Sequence, residues 1–485
     1  MALARSSVAV RSFTTACPLV QAARRFTSSA PVNKQRLVIL GSGWGGYEIL
    51  RSVDKKRWDV TVVSPTNLFN FTPLLASCAV GTLEFRCAVE PVRRYSPQVV
   101  AYQAWCDAID FKQKTLKCMP ATPPLPSETS SAPPVVTSTT QTQFPGTGTP
   151  FTLRYDKLVI AVGAYSQTFN VPGVKEYAHF LKDVRDARAI RTRLLECFEQ
   201  ANQPFLSDIQ RRNLLNFWGG PTGVEFSAEL HDLLHAEIQQ HYPSLARMAK
   251  ITLYDVAPGI LGSFDKSLAT YAEEKFRRDG ISIKTRHNVE RVEKDRMFVR
   301  EQGEVPFGVL VWSTGLAPNP LVQSIDCLEK DEKSQSLFTD PHLNVIKKDG
   351  QVDPDVWAIG DAAIIKTAVL PATAQGLYPY PVGRALANQK AKHLSKKLNK
   401  IVKNKDHEKP FEFHNQGSLA YLGDWKAIYD RSTANTGIKT KESGRVAWLL
   451  WRSAYFTMTL SIRNKILVPT YWFLNWIFGR DLTRF

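Results

Sequence analysis

Two short apolar runs each pass directly into a glycine-rich turn and then into a helical pattern, an order that leaves few folds open. In the first, residues 37–40 read as a buried parallel strand, followed by Gly41-x-Gly43-x-x-Gly46 and a helix. Gly41 permits the tight turn, Gly43 lets a backbone approach a pyrophosphate, and Gly46 allows close packing of helix on strand. The helix N-terminus adds N–H groups and a positive dipole end. A second strand, residues 59–65, follows at the expected distance. It ends in Ser64, where many such folds place a ribose-binding acid, so the ribose contact stays open.

The second turn lies in residues 214–230, with Gly220 and Gly223, followed by a strand at 251–256 that ends near Asp255. Phe226, Leu230, Leu233, Leu234 and Ile238 recur at helical spacing behind the turn. Asp255 suits both ribose hydroxyls of NADH and would repel a 2′-phosphate. Trp218, however, occupies the slot of the first glycine, where a large side chain is expected to resist the turn. The alternative is a turn that has lost its ligand. Residues 155–173 and 305–321 read as strands entering glycine-containing turns, and 355–365 as a strand ending in Gly360-Asp361. An acid there suits the ribityl hydroxyls of a flavin, although Gly-Asp alone is also an ordinary turn. The order favours an α/β fold with two Rossmann-like dinucleotide-binding domains.

The length of 485 residues allows two or three domains. The net charge of +17 would fit a nucleic-acid binder if it were spread, but it is not. Residues 1–30 carry +4, residues 386–485 carry +11, and the 355 residues between carry +2. The first 30 residues, Arg- and Ser-rich with no acid, have the pattern of a mitochondrial transit peptide. An untargeted tail is the alternative. Seven cysteines without a CxxC pair argue against a disulfide framework, a zinc site or a redox cysteine pair, and are expected as small buried residues. No metal-binding constellation is present in the sequence.

The residues GSGWGG (41–46), FTPLLAS (71–77), GGPTGVEF (219–226), STGLAPNP (313–320), AIGDAA (358–363), PATAQ (371–375) and the closing GRDLTRF (479–485) resemble the type II NADH dehydrogenases. These are mitochondrial, single-subunit NADH:ubiquinone oxidoreductases of the two-dinucleotide-domain flavoprotein superfamily. The resemblance spans residues 34–485. It implies tightly held, non-covalent FAD, NADH as substrate, and hydride transfer to the flavin, which then reduces ubiquinone without proton pumping. By motif, Gly41, Gly43, Gly46, Thr72, Gly163 and Asp361 fall at FAD. Gly220, Gly223, Glu225 and Asp255 fall at NADH, with Glu225 near the nicotinamide. Gln375 falls at the quinone end of the flavin, and Gln389 matches the family's second glutamine. The implied domains are a FAD domain (31–185 and 321–410), an NADH domain (186–320) and a membrane or dimer region (411–485).

The chain departs from the family elsewhere. Residues 118–150, rich in Pro, Ser and Thr, are expected as a disordered surface loop without a calcium-binding pattern. Residues 376–385 look inserted, as by an altered splice, and Pro379 and Pro381 prevent a regular helix from keeping Gln375 and Gln389 one turn apart. A weakened quinone site is expected if that stretch is real. Residues 386–409 read as a basic helix, and residues 466–478 form an uncharged run broken by Pro469, too short to span a bilayer. With the aromatic stretch before it, this end suits a peripheral contact with the inner-membrane lipid surface, a homodimer interface, or both. The reading from another class is a mainly binding flavoprotein like the apoptosis-inducing factor.

Overall fold

The computed structural model describes residues 34–95, 97–122, 149–220, 223–366, 381–405, 409–434, 437 and 439–483. Strand β1 (Arg36–Leu40) is buried from its second residue onward, as the middle of a parallel sheet requires. It leads through the first glycine turn into α1 (Trp44–Ser52). Strands β2 (Asp59–Ser64), β3 (Val99–Asp110), β4 (Thr115–Pro120), β5 (Phe151–Arg154) and β6 (Lys157–Ile160) follow. Helix α2 (Val184–Ala201) opens on a capping box between Asp183 and Asp186. It carries the chain to β7 (Asn216–Gly219) and α3 (Val224–Leu233), then to β8 (Lys250–Asp255), β9 (Ser282–Thr285) and β10 (Val309–Val311).

The chain then returns to the first sheet with β11 (Leu337–Thr339), β12 (Asn344–Ile346), β13 (Val352–Ala358) and β14 (Ala363–Ile365). The first sheet has the order β14-β11-β12-β13-β6-β1-β2-β3-β4-β5, with β13, β6, β1, β2 and β3 mutually parallel. The second sheet is wholly parallel, in the order β9-β8-β7-β10, and is inserted between β6 and β11 of the first. Helix α4 (Pro381–Ile401) packs on α1. An antiparallel sheet of β15 (Ser418–Gly423), β16 (Lys426–Asp430) and β17 (Lys441–Gly444) precedes helices α5 (Arg445–Met458) and α6 (Ile462–Phe478).

Four expectations change. Trp218 does not resist the second turn, because β7 simply runs through it: Trp218 pairs with Thr252 and Leu310, and the turn begins only after Gly219. Its ring lies 4.5 Å from that of Tyr254, and its indole N–H donates to the Pro306 carbonyl at 3.2 Å. The segment from 118 onward is not all loop, since β4 continues to Pro120 with Cys118 buried. Helix α4 starts at Pro381, earlier than expected; proline is tolerated at a first helical position, where its missing N–H is no loss. Helix α6 continues through Pro469. Tertiary anchors hold it on both sides: Asn464 donates to Glu90 at 2.9 Å and Asn475 to the Thr82 carbonyl at 2.6 Å. Residues 1–30, Pro379 and most of the 118–150 segment lie outside the described residues.

Candidate active site

The parallel order sets the ends of β13, β6 and β1 side by side, and those ends carry the candidate residues. Ile359 donates to the Ile160 carbonyl at 3.0 Å, and Ala161 to that of Leu40 at 2.9 Å, so the three exits are stitched together. Gly41 has φ +98°, and a Cβ there would lie 2.3 Å from the Ala161 oxygen. A Cβ on Gly46 would lie 2.0 Å from the Gly41 oxygen. Gly43 and Gly163 differ: a Cβ on either would meet nothing within 4 Å. Two glycines therefore close the turn and two leave open space above it, as approach of a dinucleotide requires. Asp361 lies exposed on the turn after β13, with Gly360 at φ +75°. Thr72 accepts the indole N–H of Trp44 at 3.1 Å, which fixes its hydroxyl beside α1.

At the end of β2, where an acid was wanting, hydroxyls take its place. Ser42 and Ser64 are buried with their oxygens 2.9 Å apart, and Ser42 also reaches the Leu68 carbonyl at 2.9 Å. A crevice beside them is lined by Ser64, Thr66, Asn67, Arg93, Tyr102 and Gln103.

The second turn is tighter against its neighbour. Cβ atoms on Gly220 and Gly223 would lie 3.1 and 3.2 Å from Ser313, which follows β10. Asp255 ends β8, its carboxylate accepting from the Ala257 N–H at 2.9 Å, and burial pushes its pKa up. Glu225 sits in the first turn of α3 and is reached from the far end of the chain. Its Oε1 accepts from the Trp451 indole at 3.1 Å, the Tyr421 N–H at 3.2 Å and the Tyr455 hydroxyl at 3.3 Å. The sequence placed Trp451 and Tyr455 in the aromatic membrane or dimer stretch and gave Tyr421 no role; all three are instead buried and turned inward on Glu225.

Gln375 lies outside the described residues. On α4, both ends of the Gln389 amide engage the His414 backbone, donating at 2.9 Å and accepting at 3.0 Å. Its neighbour Lys390 is 2% exposed and donates to the Ala363 carbonyl at 3.3 Å. Burial lowers its pKa from 10.5 to about 8, against a smaller opposing pull from Asp361. Between those two pH values the unfolded chain holds a proton that the folded one lacks, so this group makes stability rise with pH across that window. Below about pH 8 the buried charge costs roughly 3 kcal/mol. Lys390→Met is therefore expected to melt at a higher temperature than the unsubstituted protein at pH 7. That advantage should narrow as the pH rises toward 10, as paired melts at both pH values would show.

A mixed sheet with a five-stranded parallel centre and a wholly parallel sheet inserted in it, each led by a glycine turn, define a two-dinucleotide oxidoreductase. The comparisons agree. Residues 35–376 match the family model described as pyridine nucleotide-disulphide oxidoreductase, and residues 415–481 match the NDH2 C-terminal domain. A "Probable NADH dehydrogenase" of Dictyostelium discoideum is 37% identical, over 95% of this chain and 94% of the relative. An "Internal alternative NAD(P)H-ubiquinone oxidoreductase A1, mitochondrial" of Solanum tuberosum is 36% identical, over 93% and 88%. The "External NADH-ubiquinone oxidoreductase 2, mitochondrial" of Saccharomyces cerevisiae is 34% identical, over 93% and 82%. The structure of NDH2 from Plasmodium falciparum in complex with NADH shares the fold, with TM-score 0.78 at 24% identity, over 93% of this chain and all of that one. The chain belongs to the pyridine nucleotide-disulphide oxidoreductase family, in its type II NADH dehydrogenase branch.

Proposed function

We propose that the chain is an NADH:ubiquinone reductase that works without proton pumping. The chemistry that bound FAD would supply is acceptance of a hydride and onward transfer of electrons to a quinone. The protein's part is position and electrostatics. The open space over Gly43 and Gly163 would admit FAD, and Asp361 would accept from its ribityl hydroxyls. Gly220 and Gly223 admit NADH, and Asp255 takes its ribose in preference to a 2′-phosphate. Glu225 orients the nicotinamide end, and Gln375 and Gln389 belong to the quinone side. The FAD domain comprises 31–185 and 321–410, and the NADH domain 186–320.

The observation that carries this reading is the set of bonds from Tyr421, Trp451 and Tyr455 to Glu225. They join the second nucleotide turn to β15 and α5, and α5 and α6 present Leu449, Phe456, Ile462, Phe473, Trp476 and Phe478 to the exterior. No described helix is long and apolar enough to cross a membrane. An apolar face with Trp and flanking Arg fits an interfacial seat where a lipid-confined quinone enters. We place the chain on the mitochondrial inner-membrane surface after removal of residues 1–30, as a homodimer. The comparisons give no support to a mainly binding role.

The test is anaerobic addition of NADH to the yellow holoprotein, then of a short-chain quinone. Bleaching at about 450 nm followed by recovery is expected, and a flavin that stays oxidised would refute the activity. Glu225→Gln should slow bleaching at least tenfold while a chemical reductant still bleaches the flavin at the normal rate. Normal bleaching by NADH in that variant would remove Glu225 from the site.

A further inference from the structure

Cys106 on β3 and Cys118 on β4 are direct partners across an antiparallel pair. Residues opposite one another in such a pair project from the same face, with Cα atoms about 4.5–5.5 Å apart. A disulfide needs Cα atoms roughly 4.4–6.8 Å apart, so this backbone already meets its requirement. Both side chains enter one apolar cluster, Cys118 within it and Cys106 packed against its edge. The Cys106 thiol donates to the Ala108 carbonyl at 3.6 Å, and its Cys118 neighbour together with burial raises its pKa. The raised pKa keeps the thiolate fraction low and so slows attack, although disulfide formation needs only one thiolate at a time.

Access is unequal. Cys118 is fully buried, while Cys106 is partly exposed beside a bulge, its register slipping before Ala108. A bulge bends its strand and frees it from the ladder, giving Cys106 room to adjust. The other described cysteines lack this arrangement. Cys327 is exposed, Cys197 is buried, and Cys78 and Cys87, also buried, sit on two separate short helices.

We propose that Cys106 and Cys118 form a reversible dithiol–disulfide pair, with Cys106 as the sulfur that meets the oxidant, a hydroperoxide, and Cys118 as the resolving sulfur. The Cys106 thiolate attacks one peroxide oxygen, the O–O bond breaks, and the departing hydroxide takes a proton to become water. The resulting sulfenic acid loses its hydroxyl to attack by Cys118, and that hydroxyl leaves as a second water. In sum, two thiols and one hydrogen peroxide give one disulfide and two waters, with two electrons passing from sulfur to peroxide.

The link would brace the strand that begins the crevice at the end of β2. Gln103, three residues before Cys106, donates to the Pro65 and Ala121 carbonyls and lines that crevice. Cys118 precedes Ala121 by three residues, so the disulfide would fix both strands beside it.

The full-length holoprotein, reduced and then titrated with hydrogen peroxide, is mapped by non-reducing peptide mass spectrometry. A Cys106–Cys118 cross-linked peptide is expected at peroxide levels that leave most of Cys327 reduced, and dithiothreitol should remove it. In Cys118→Ser, Cys106 should instead accumulate as a sulfenic acid trapped by dimedone. Cys106→Ser, which alters only the half-exposed member, should give neither product and should fold normally. Free Cys106 and Cys118 at peroxide levels that have fully oxidised Cys327 would overturn the proposal. So would irreversible oxidation of Cys106 without the cross-link.

Discussion

Gly46→Ala is expected to purify colourless and to melt well below the unsubstituted protein, although it adds a single methyl group. That methyl would lie 2.0 Å from the Gly41 oxygen and 2.9 Å from the Gly41 carbonyl carbon. Both are backbone atoms, so no rotamer can relieve the overlap. Gly41 cannot retreat either, because its own backbone abuts Ala161 at the end of β6. The only release is to lift α1 away from β1, which also moves Gly43 and the helix N-terminus. Overpacking of this kind costs about 1–3 kcal/mol, and here it falls on the cofactor turn as well. Gly43→Ala is the control. Nothing lies within 4 Å of its new methyl, so the apoprotein should melt normally while flavin retention falls. The ratio of absorbance at about 450 nm to that at 280 nm, with thermal melts of both apoproteins, checks the pair. Normal flavin content in Gly46→Ala would show that the turn is not the cofactor's seat.

The same contrast shows what the sequence could and could not reveal. The spacing Gly41-x-Gly43-x-x-Gly46 states which glycines are tight and which are open, because that geometry is local to one strand, turn and helix. Trp218 misleads for the opposite reason. Whether a residue before a glycine belongs to the turn or the strand depends on partners at Thr252 and Leu310, which only the sheet supplies. Lys390 was partly legible: Ala387, Ala391, Leu394 and Leu398 mark the buried face of α4, and helical spacing places Lys390 on it. Its carbonyl partner Ala363 comes from another strand. On α3 the acids Glu225, Glu229 and Asp232 recur at i, i+4 and i+7 and so share one face. Their partners lie up to 251 residues later or 152 earlier, beyond the reach of periodicity. Asp232, for example, accepts from the Tyr421 hydroxyl at 2.5 Å and the Asp424 N–H at 2.9 Å.

Replacing Arg480 is expected to have the other large effect, far from any glycine turn. Arg480 comes from the closing segment of the chain and is largely enclosed, its side chain 12% exposed, between two parts of the inserted domain's helix and a loop of the first domain. It donates to Glu237 at 2.8 Å through its guanidinium and at 3.0 Å through its backbone N–H, and to the Thr82 hydroxyl at 2.9 Å. It also lies 3.8 Å from Glu229, which accepts from Ser77 at 2.6 Å and Thr82 at 2.7 Å. Glu237 sits in the π-helical turn, Leu234–Ile238, that continues α3. One cation thus ties α3, its π turn, the 77–82 segment and the C-terminus together. Arg480→Leu leaves Glu229 and Glu237 buried without it, a change that typically costs 3–5 kcal/mol. Arg480→Lys should lose less, because it keeps the charge but not the planar fork. The pH dependence identifies the cause. Burial already raises the Glu229 pKa, and Arg480 opposes that rise. Without Arg480 the folded carboxyl holds its proton to still higher pH than the unfolded one, so the variant loses stability as pH rises above about 4.5. Its deficit should be smaller at pH 5 than at pH 7. An equal deficit at both would mean that packing of the arginine stem, rather than its charge, holds the three segments together.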